Sequence, residues 1–116
     1  MNQAKPGTNR PVWDAESSHP DLTQLLRDVM KEVYDPELAL NVDQLGLIRN
    51  VKFEDGQAIL RVILTTPFCP YGPALLDVIK DTAEETLGLP VVIDLDLGVW
   101  DFSMMDEEAA DELGIY

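Results

Sequence analysis

One cysteine and one histidine, set among 22 carboxylates, are the residues of this chain best suited to chemistry. Cys69 stands in Thr65-Thr66-Pro67-Phe68-Cys69-Pro70-Tyr71-Gly72-Pro73, between the end of a predicted strand and the start of a predicted helix. A helix start stabilises an anion there and lowers a thiol's pKa, and the thiolate is the form that binds metal or attacks. Pro67 and Pro70 stiffen the loop and remove two backbone donors near the sulfur. The same spacing suits a small buried hydrophobe, so the loop alone leaves both readings open. Asp35, Glu37 and Asp43 surround Pro36, and grouped acids serve as general acid and base, as hard-metal ligands, or simply as turn formers. His19 lies beside Pro20 and is expected to face solvent. Trp100, with Phe102 and Met104, suits either a docking surface or the core. The chain has no Ser/His/Asp set and no phosphate-cradling glycine loop.

The elements that must position these residues follow from periodicity. Residues 1–20, with Pro6, Gly7, Pro11, Ser17 and Ser18, are expected to be a mobile tail, and 21–116 the folded domain. Leu22, Leu25, Leu26, Val29, Met30 and Val33 recur at helical spacing, with Asp21 as cap and Asp35-Pro36 as terminator. From Gly46 the period changes to that of a strand, with Leu47, Val51 and Phe53 on one face and Arg49 interrupting it. Asp55-Gly56 is a tight-turn signal, and Ala58 to Leu64 follows as the second arm of a hairpin, with Leu60, Val62 and Leu64 inward. After the proline-rich loop, Leu75, Val78, Ile79, Ala83 and Leu87 mark a second helix stopped by Gly88 and Pro90. Val91, Ile93, Leu95 and Leu97 alternate with Val92, Asp94 and Asp96 as a third strand. Ser103 and Asp106 resemble a capping box for a last helix through Met105, Ala109 and Leu113.

The order α-β-β-α-β-α predicts an α/β two-layer sandwich: a small three-stranded mixed sheet with helices on one face. The hairpin strands pair antiparallel, and the third strand returns parallel through a right-handed crossover.

Composition narrows the function. At 116 residues, 46% apolar and 26% charged, the chain matches one small domain. No apolar run approaches the roughly 20 residues of a membrane span, and Met1 to Pro11 lacks the pattern of a signal peptide, so a cytoplasmic location is expected. A net charge of −14 repels nucleic-acid backbones and anionic lipid, arguing against both as partners. The acidity suits simple solubility, a basic protein partner or a salt-rich cell interior. A lone cysteine forms no internal disulfide and no zinc finger.

From about Leu22 to Gly114 the sequence resembles the metal-sulfur cluster assembly family, the SufT-like and PaaD-like domain also found fused to cluster-carrier P-loop ATPases. The matching pieces, in order, are Asp35-Pro36-Glu37, Asp43-Gln44-Leu45-Gly46-Leu47, Leu64 to Pro70, Trp100, Met104 to Ala109, and Leu113-Gly114. The resemblance implies a role in maturing iron-sulfur proteins, with the family's cysteine on Cys69, its acidic turn on Asp35 and Glu37, and its polar pair on Thr65 and Thr66. Two positions depart from the pattern: Gly98-Val99 replaces a proline pair, and Ala110 and Asp111 replace basic residues. The C-terminal cysteine cluster of the PaaD-like branch is absent, which disfavours a role in phenylacetate oxygenase assembly.

One thiolate cannot fill the four positions of an ordinary cluster. A cluster on Cys69 is therefore expected to be transient, or shared in a weak homodimer with small thiols completing the shell, while assembly machinery and apo clients are the expected partners. Three readings compete: a non-enzymatic carrier working through Cys69; an adaptor that docks clients near Trp100 and Asp35 with a structural cysteine; and a thiol-dependent enzyme, which needs a base near Cys69.

Overall fold

The computed structural model, which describes residues 5–66 and 70–114, builds its sheet from a hairpin. Asp55 and Gly56 both have positive φ, 54° and 77°, the backbone a two-residue turn needs to match the twist of its strands. In chain order the elements are α1 (Ala15–Ser18), α2 (Pro20–Met30), β1 (Tyr34–Asp35), β2 (Leu40–Asn41), α3 (Val42–Leu45), β3 (Ile48–Glu54), β4 (Gln57–Ile63), α4 (Gly72–Leu87), β5 (Val91–Asp96), a 3-10 turn at Phe102–Met104, and α5 (Glu107–Glu112). The main sheet has the order β3-β4-β5, antiparallel then parallel, so the architecture is the mixed α/β domain the periodicity predicts. Tyr34 and Asp35 pair with Asn41 and Leu40 in a small second ladder.

Ala58, Leu60 and Val62 of β4 face the core, fully buried, opposite Phe53, Val51 and Ile48 of β3. The register shifts between Ile48 and Asn50, and Arg49 is the extra residue. This bulge corrects the strict alternation expected for β3: it turns Ile48 inward with Val51 and lets Arg49 interrupt the apolar pattern without breaking the ladder. Helix α4 lays Leu75, Ile79 and Ala83 on that face, and α2 adds Leu26 and Met30 beside it. Leu25 and Val78, expected in the two stripes, are about half exposed. Each lies at the margin of its stripe, one position before a fully buried residue, Leu26 or Ile79. No helix among the described residues is long and apolar enough to cross a membrane.

The N-terminal segment differs from the mobile tail expected of it. Trp13 and Ala15 are buried in the core, the Trp13 indole N–H donates to the Ile48 carbonyl at 2.9 Å, and the Arg27 guanidinium lies 3.8 Å over the ring. Arg27 also bonds Glu16 at 2.6 Å and the Pro11 carbonyl at 3.1 Å, closing the segment onto α2. Such anchoring by single large groups leaves no period to read.

Two other boundaries move. Helix α2 takes His19 as its cap and Pro20 in its first turn rather than capping on Asp21, and it ends at Met30. At the C-terminus, the Asp101 carboxylate accepts from the Ser103 amide and the Asp106 carboxylate from the Ala109 amide, so each helical turn has its own aspartate cap where one box on Ser103 was expected.

Leu60→Ala and Ile79→Ala should each lower unfolding free energy by about 2–5 kcal/mol in urea titrations, since both side chains are wholly enclosed. At the other end of α4, the Glu84 carboxylate accepts the Val91 amide at 3.0 Å, tying the helix end to β5. That bond, then Lys80, holds the Glu84 pKa below the usual glutamate range against desolvation. A carboxyl lowered on folding contributes stability above its unfolded pKa and loses it as pH falls through the folded value. Glu84→Gln should therefore lower the urea midpoint near pH 7 and make little difference near pH 3; an offset that stays constant over that range would refute the coupling.

Candidate functional site

The candidate residues fall on two connections at one end of α4. Strand β4 ends at Ile63, and the chain passes through Leu64, Thr65 and Thr66, all half-buried, before re-emerging at Pro70 and entering α4 at Gly72. Cys69 lies outside the described residues. Tyr71 is the N-cap residue of α4, Pro73 stands in the first turn, and that turn holds no acidic residue. The positive end of a sixteen-residue helix thus meets the loop with no carboxylate in its own first turn.

The second connection is the Asp35 turn. Asp35 is buried, and its Oδ1 accepts the amides of Glu37 at 2.8 Å and Leu38 at 3.2 Å, while its carbonyl accepts the Ala39 amide. Ala39 takes φ 57°, the left-handed step that lets β2 return beside β1. Asp35 is therefore the turn former that an Asp-Pro pair favours. Glu37 is exposed on the same turn. Between this turn and the start of α4 runs an open, mostly apolar groove of about 270 Å³, lined by Val33, Tyr34, Pro36, Tyr71, Ala74, Leu75 and Val78, with Glu32 as its one acidic side chain.

Asp43 goes elsewhere. Its carboxylate faces Arg27 at 3.5 Å and Arg10 at 4.0 Å, so the three acids around Pro36 do not act as one group. Among the described residues no three His, Cys, Asp or Glu side chains converge to hold a metal ion. His19 stacks edge-on against Phe53 at 4.6 Å. Phe53 pairs with Ala58 near the hairpin turn. From Ala58 to Leu64 is six strand residues, about 20 Å, so His19 belongs to the opposite end of the sheet from the cysteine loop.

The Asp43-Gln44-Leu45-Gly46-Leu47 motif proves to be a structural hub. Asn41 and Gln44 cap α3 reciprocally, and the helix ends on Gly46 at φ 68°. The Trp100 indole N–H donates to the Leu45 carbonyl at 2.8 Å, and Arg10 donates to the carbonyls of Asp43, Gln44 and Met104. Trp100 is thereby an anchor packed against the core, and it stacks edge-on with the more exposed Phe102. Sequence reasoning missed Arg10, Arg27 and Arg49. The available signal was the scarcity of cations: four arginines in an acidic chain. Burial lowers the pKa of Arg10 and of Arg49, against the opposing field of Asp43 on Arg10, yet a guanidinium stays charged.

Comparison with known proteins accords with these motifs. The model of the family described as iron-sulfur cluster assembly protein matches residues 23–94. The chain is 39% identical over 97 residues to an Fe-S protein maturation auxiliary factor of Porphyromonas gingivalis, covering 81% of this chain and 89% of that one. It is 32% identical over 89 residues to the Fe-S protein maturation auxiliary factor SufT of Staphylococcus aureus, covering 72% and 98%. In structure it is similar to a domain of unknown function, DUF59, from Bacillus anthracis, with a TM-score of 0.74 at 21% identity over 86% of this chain and 98% of that one, a likeness of fold.

A methyl group on Gly46 would meet the Met104 carbonyl oxygen at 2.2 Å, whereas one on Gly88, with nearly the same φ, would meet nothing within 4 Å. Gly88→Ala should cost about 1–2 kcal/mol, the left-handed penalty alone, and Gly46→Ala about 1–3 kcal/mol more. Equal losses in denaturant titrations would show that the Gly46–Met104 approach is not a constraint.

Proposed function

We propose, from the premise that the chain belongs to the iron-sulfur cluster assembly protein family, that it is a non-enzymatic auxiliary factor in iron-sulfur protein maturation which receives and hands on clusters through Cys69. The cluster is cargo. The observation that carries this reading is the connection from β4 to α4, which leads through residue 69 directly into the acid-free first turn of a long helix. Such a helix start favours thiolate over thiol, and thiolate is the form that ligates iron.

On this reading Thr65 and Thr66 are the polar flank of the cysteine and the Asp35–Glu37 turn is the opposite wall, with Asp35 as its fold-forming residue and Glu37 as its exposed carboxylate. One thiolate per chain leaves most of a cluster's positions open. A labile shell, completed by small thiols or by a second copy in a weak homodimer, suits handover to apo clients and suits storage poorly. The cytoplasm, where glutathione-type thiols are abundant, is the compartment that fits this chemistry.

The adaptor alternative keeps the apolar groove beside the Asp35 turn as a client-docking surface and makes Cys69 structural. Anaerobic reconstitution with iron and sulfide, followed by visible absorption, separates the two. Wild type should develop charge-transfer bands in the presence of a small thiol, and Cys69→Ser should lose them while keeping the wild-type melting temperature. Equal bands on the variant would sink the carrier reading.

A further inference from the structure

Strand β5 is an edge of the main sheet, hydrogen-bonded to β4 on one side and to no described strand on the other. Natural edges are blunted by charged side chains, lysine above all, by proline or by a bulge; Val91–Asp96 has no lysine, proline or bulge, and its two charges, Asp94 and Asp96, are both engaged by Arg61. Its apolar residues stay open: Val92 is 42% exposed and Leu95 40%, and just beyond the strand Leu97 and Val99 reach 80% and 84%. The charge is as unbalanced as the backbone. Arg61 on β4 bridges to Asp94 at 2.9 Å and to Asp96 at 3.3 Å, one guanidinium against two carboxylates, with Arg61 and Asp94 about half exposed. The cross-strand charge ladder therefore ends at the edge with an excess negative charge.

We infer that the β5 edge is a docking site for an extended segment of a partner protein in which lysine or arginine alternates with apolar residues. The alternation is set by β5 itself. Asp94 and Asp96 stand on the outer face with Arg61, while Ile93 and Leu95 stand on the other, so an added strand places its cations beside the aspartates and its apolar side chains beside Leu95. A second copy of this chain fits badly, because its own Asp94 and Asp96 would face those of the first across the new ladder, on a protein already at −14. The position deepens the proposed function and rests on it for its purpose. Ile63, the last residue of β4, pairs with Asp96, so a docked strand reaches the end of the sheet from which the Cys69 loop departs.

The test uses the full chain and a fluorescent decapeptide of alternating lysine and valine, with an alternating glutamate and valine peptide as control. Binding is read by anisotropy and amide hydrogen exchange. The basic peptide should bind, weaken with salt, and slow exchange in residues 92–97. Asp94→Asn with Asp96→Asn should weaken it about tenfold, the worth of two cross-strand charge pairs in the upper half of their range. Asp81→Asn with Glu85→Gln, the same charge change on the exposed side of α4, should leave it nearly unchanged. Equal weakening by both pairs, protection spread away from β5, or equal binding of the acidic peptide would overturn the inference. So would protection of β5 that rises with concentration of the free chain, which would make a second copy the occupant. Cys69→Ser should bind the peptide as wild type does. Loss of cluster without loss of peptide therefore counts only on the carrier question, and loss of peptide binding in a cluster-competent protein counts only against this site.

Discussion

The carbonyls at the end of one short helix run out of intrahelical partners, and much of the tertiary structure is arranged to supply them. Helix α3 is a single turn, so nearly every C=O it has is a terminal one. Arg10 reaches the carbonyls of Asp43 and Gln44, the Asp106 amide shares Gln44 at 2.7 Å, the Trp100 indole takes Leu45, and Arg49 takes Gly46 at 3.0 Å. Those donors come from the N-terminal segment, the first strand of the hairpin and both C-terminal turns. Leaving a buried carbonyl unpaired costs on the order of 1–3 kcal/mol, so loss of the donor to Leu45 or to Gly46 is felt in segments far apart in sequence, whereas the Asp43 and Gln44 carbonyls each have a second donor. The close approach of Gly46 to the Met104 carbonyl lets the C-terminal turns come near enough to join.

This arrangement uses the chain's few cations indoors. Of eight basic residues, Arg10, Arg27 and Arg49 are turned toward backbone carbonyls, the Trp13 ring and the carboxylates of Asp43 and Glu16. Guanidinium suits this work because its planar fork satisfies several acceptors at once, where an ammonium acts as a point charge. The surface is left with the lysines and Arg61 against most of the carboxylates. The acidity is thus partly a consequence of the fold's internal wiring, and it leaves a negative exterior that basic segments would find complementary.

How much of this the sequence disclosed depends on whether a feature repeats. The hairpin was legible because Asp55-Gly56 dictates a turn and Leu60 and Val62 alternate cleanly. Helix α4 was legible because Leu75, Ile79 and Ala83 recur every fourth residue between a proline start and a glycine stop. The packed N-terminal segment was not, since Trp13 and Arg10 act once each and create no period. The bulge at Arg49 hid for a related reason: a single inserted residue looks like a break in alternation until the partner strand supplies the register. At the site, the Asp35-Pro36 turn was readable as a turn, and Trp100 as an aromatic near the core. The separation of Asp43 from Asp35 was not readable, because it depends on two arginines whose positions only the fold determines. Cys69 itself rests on its neighbours and on the family pattern.

Chain direction joins these parts. Because β4 and β5 run parallel, both strands end at the same edge of the sheet, and α4, which connects them, must begin there. Open sheets with parallel strands gather loops and helix starts at the carboxyl ends of those strands, which is where such folds host ligands. Here that end collects the loop through residue 69, the acid-free start of α4, the groove against the Asp35 turn, and the last exposed residues of β5. The opposite end receives the hairpin turn, His19 and the Glu84 tie to Val91, all of them contacts that close structure. The division is imposed by topology: a parallel strand returning through a helix separates the end that the fold needs for closure from the end it leaves open.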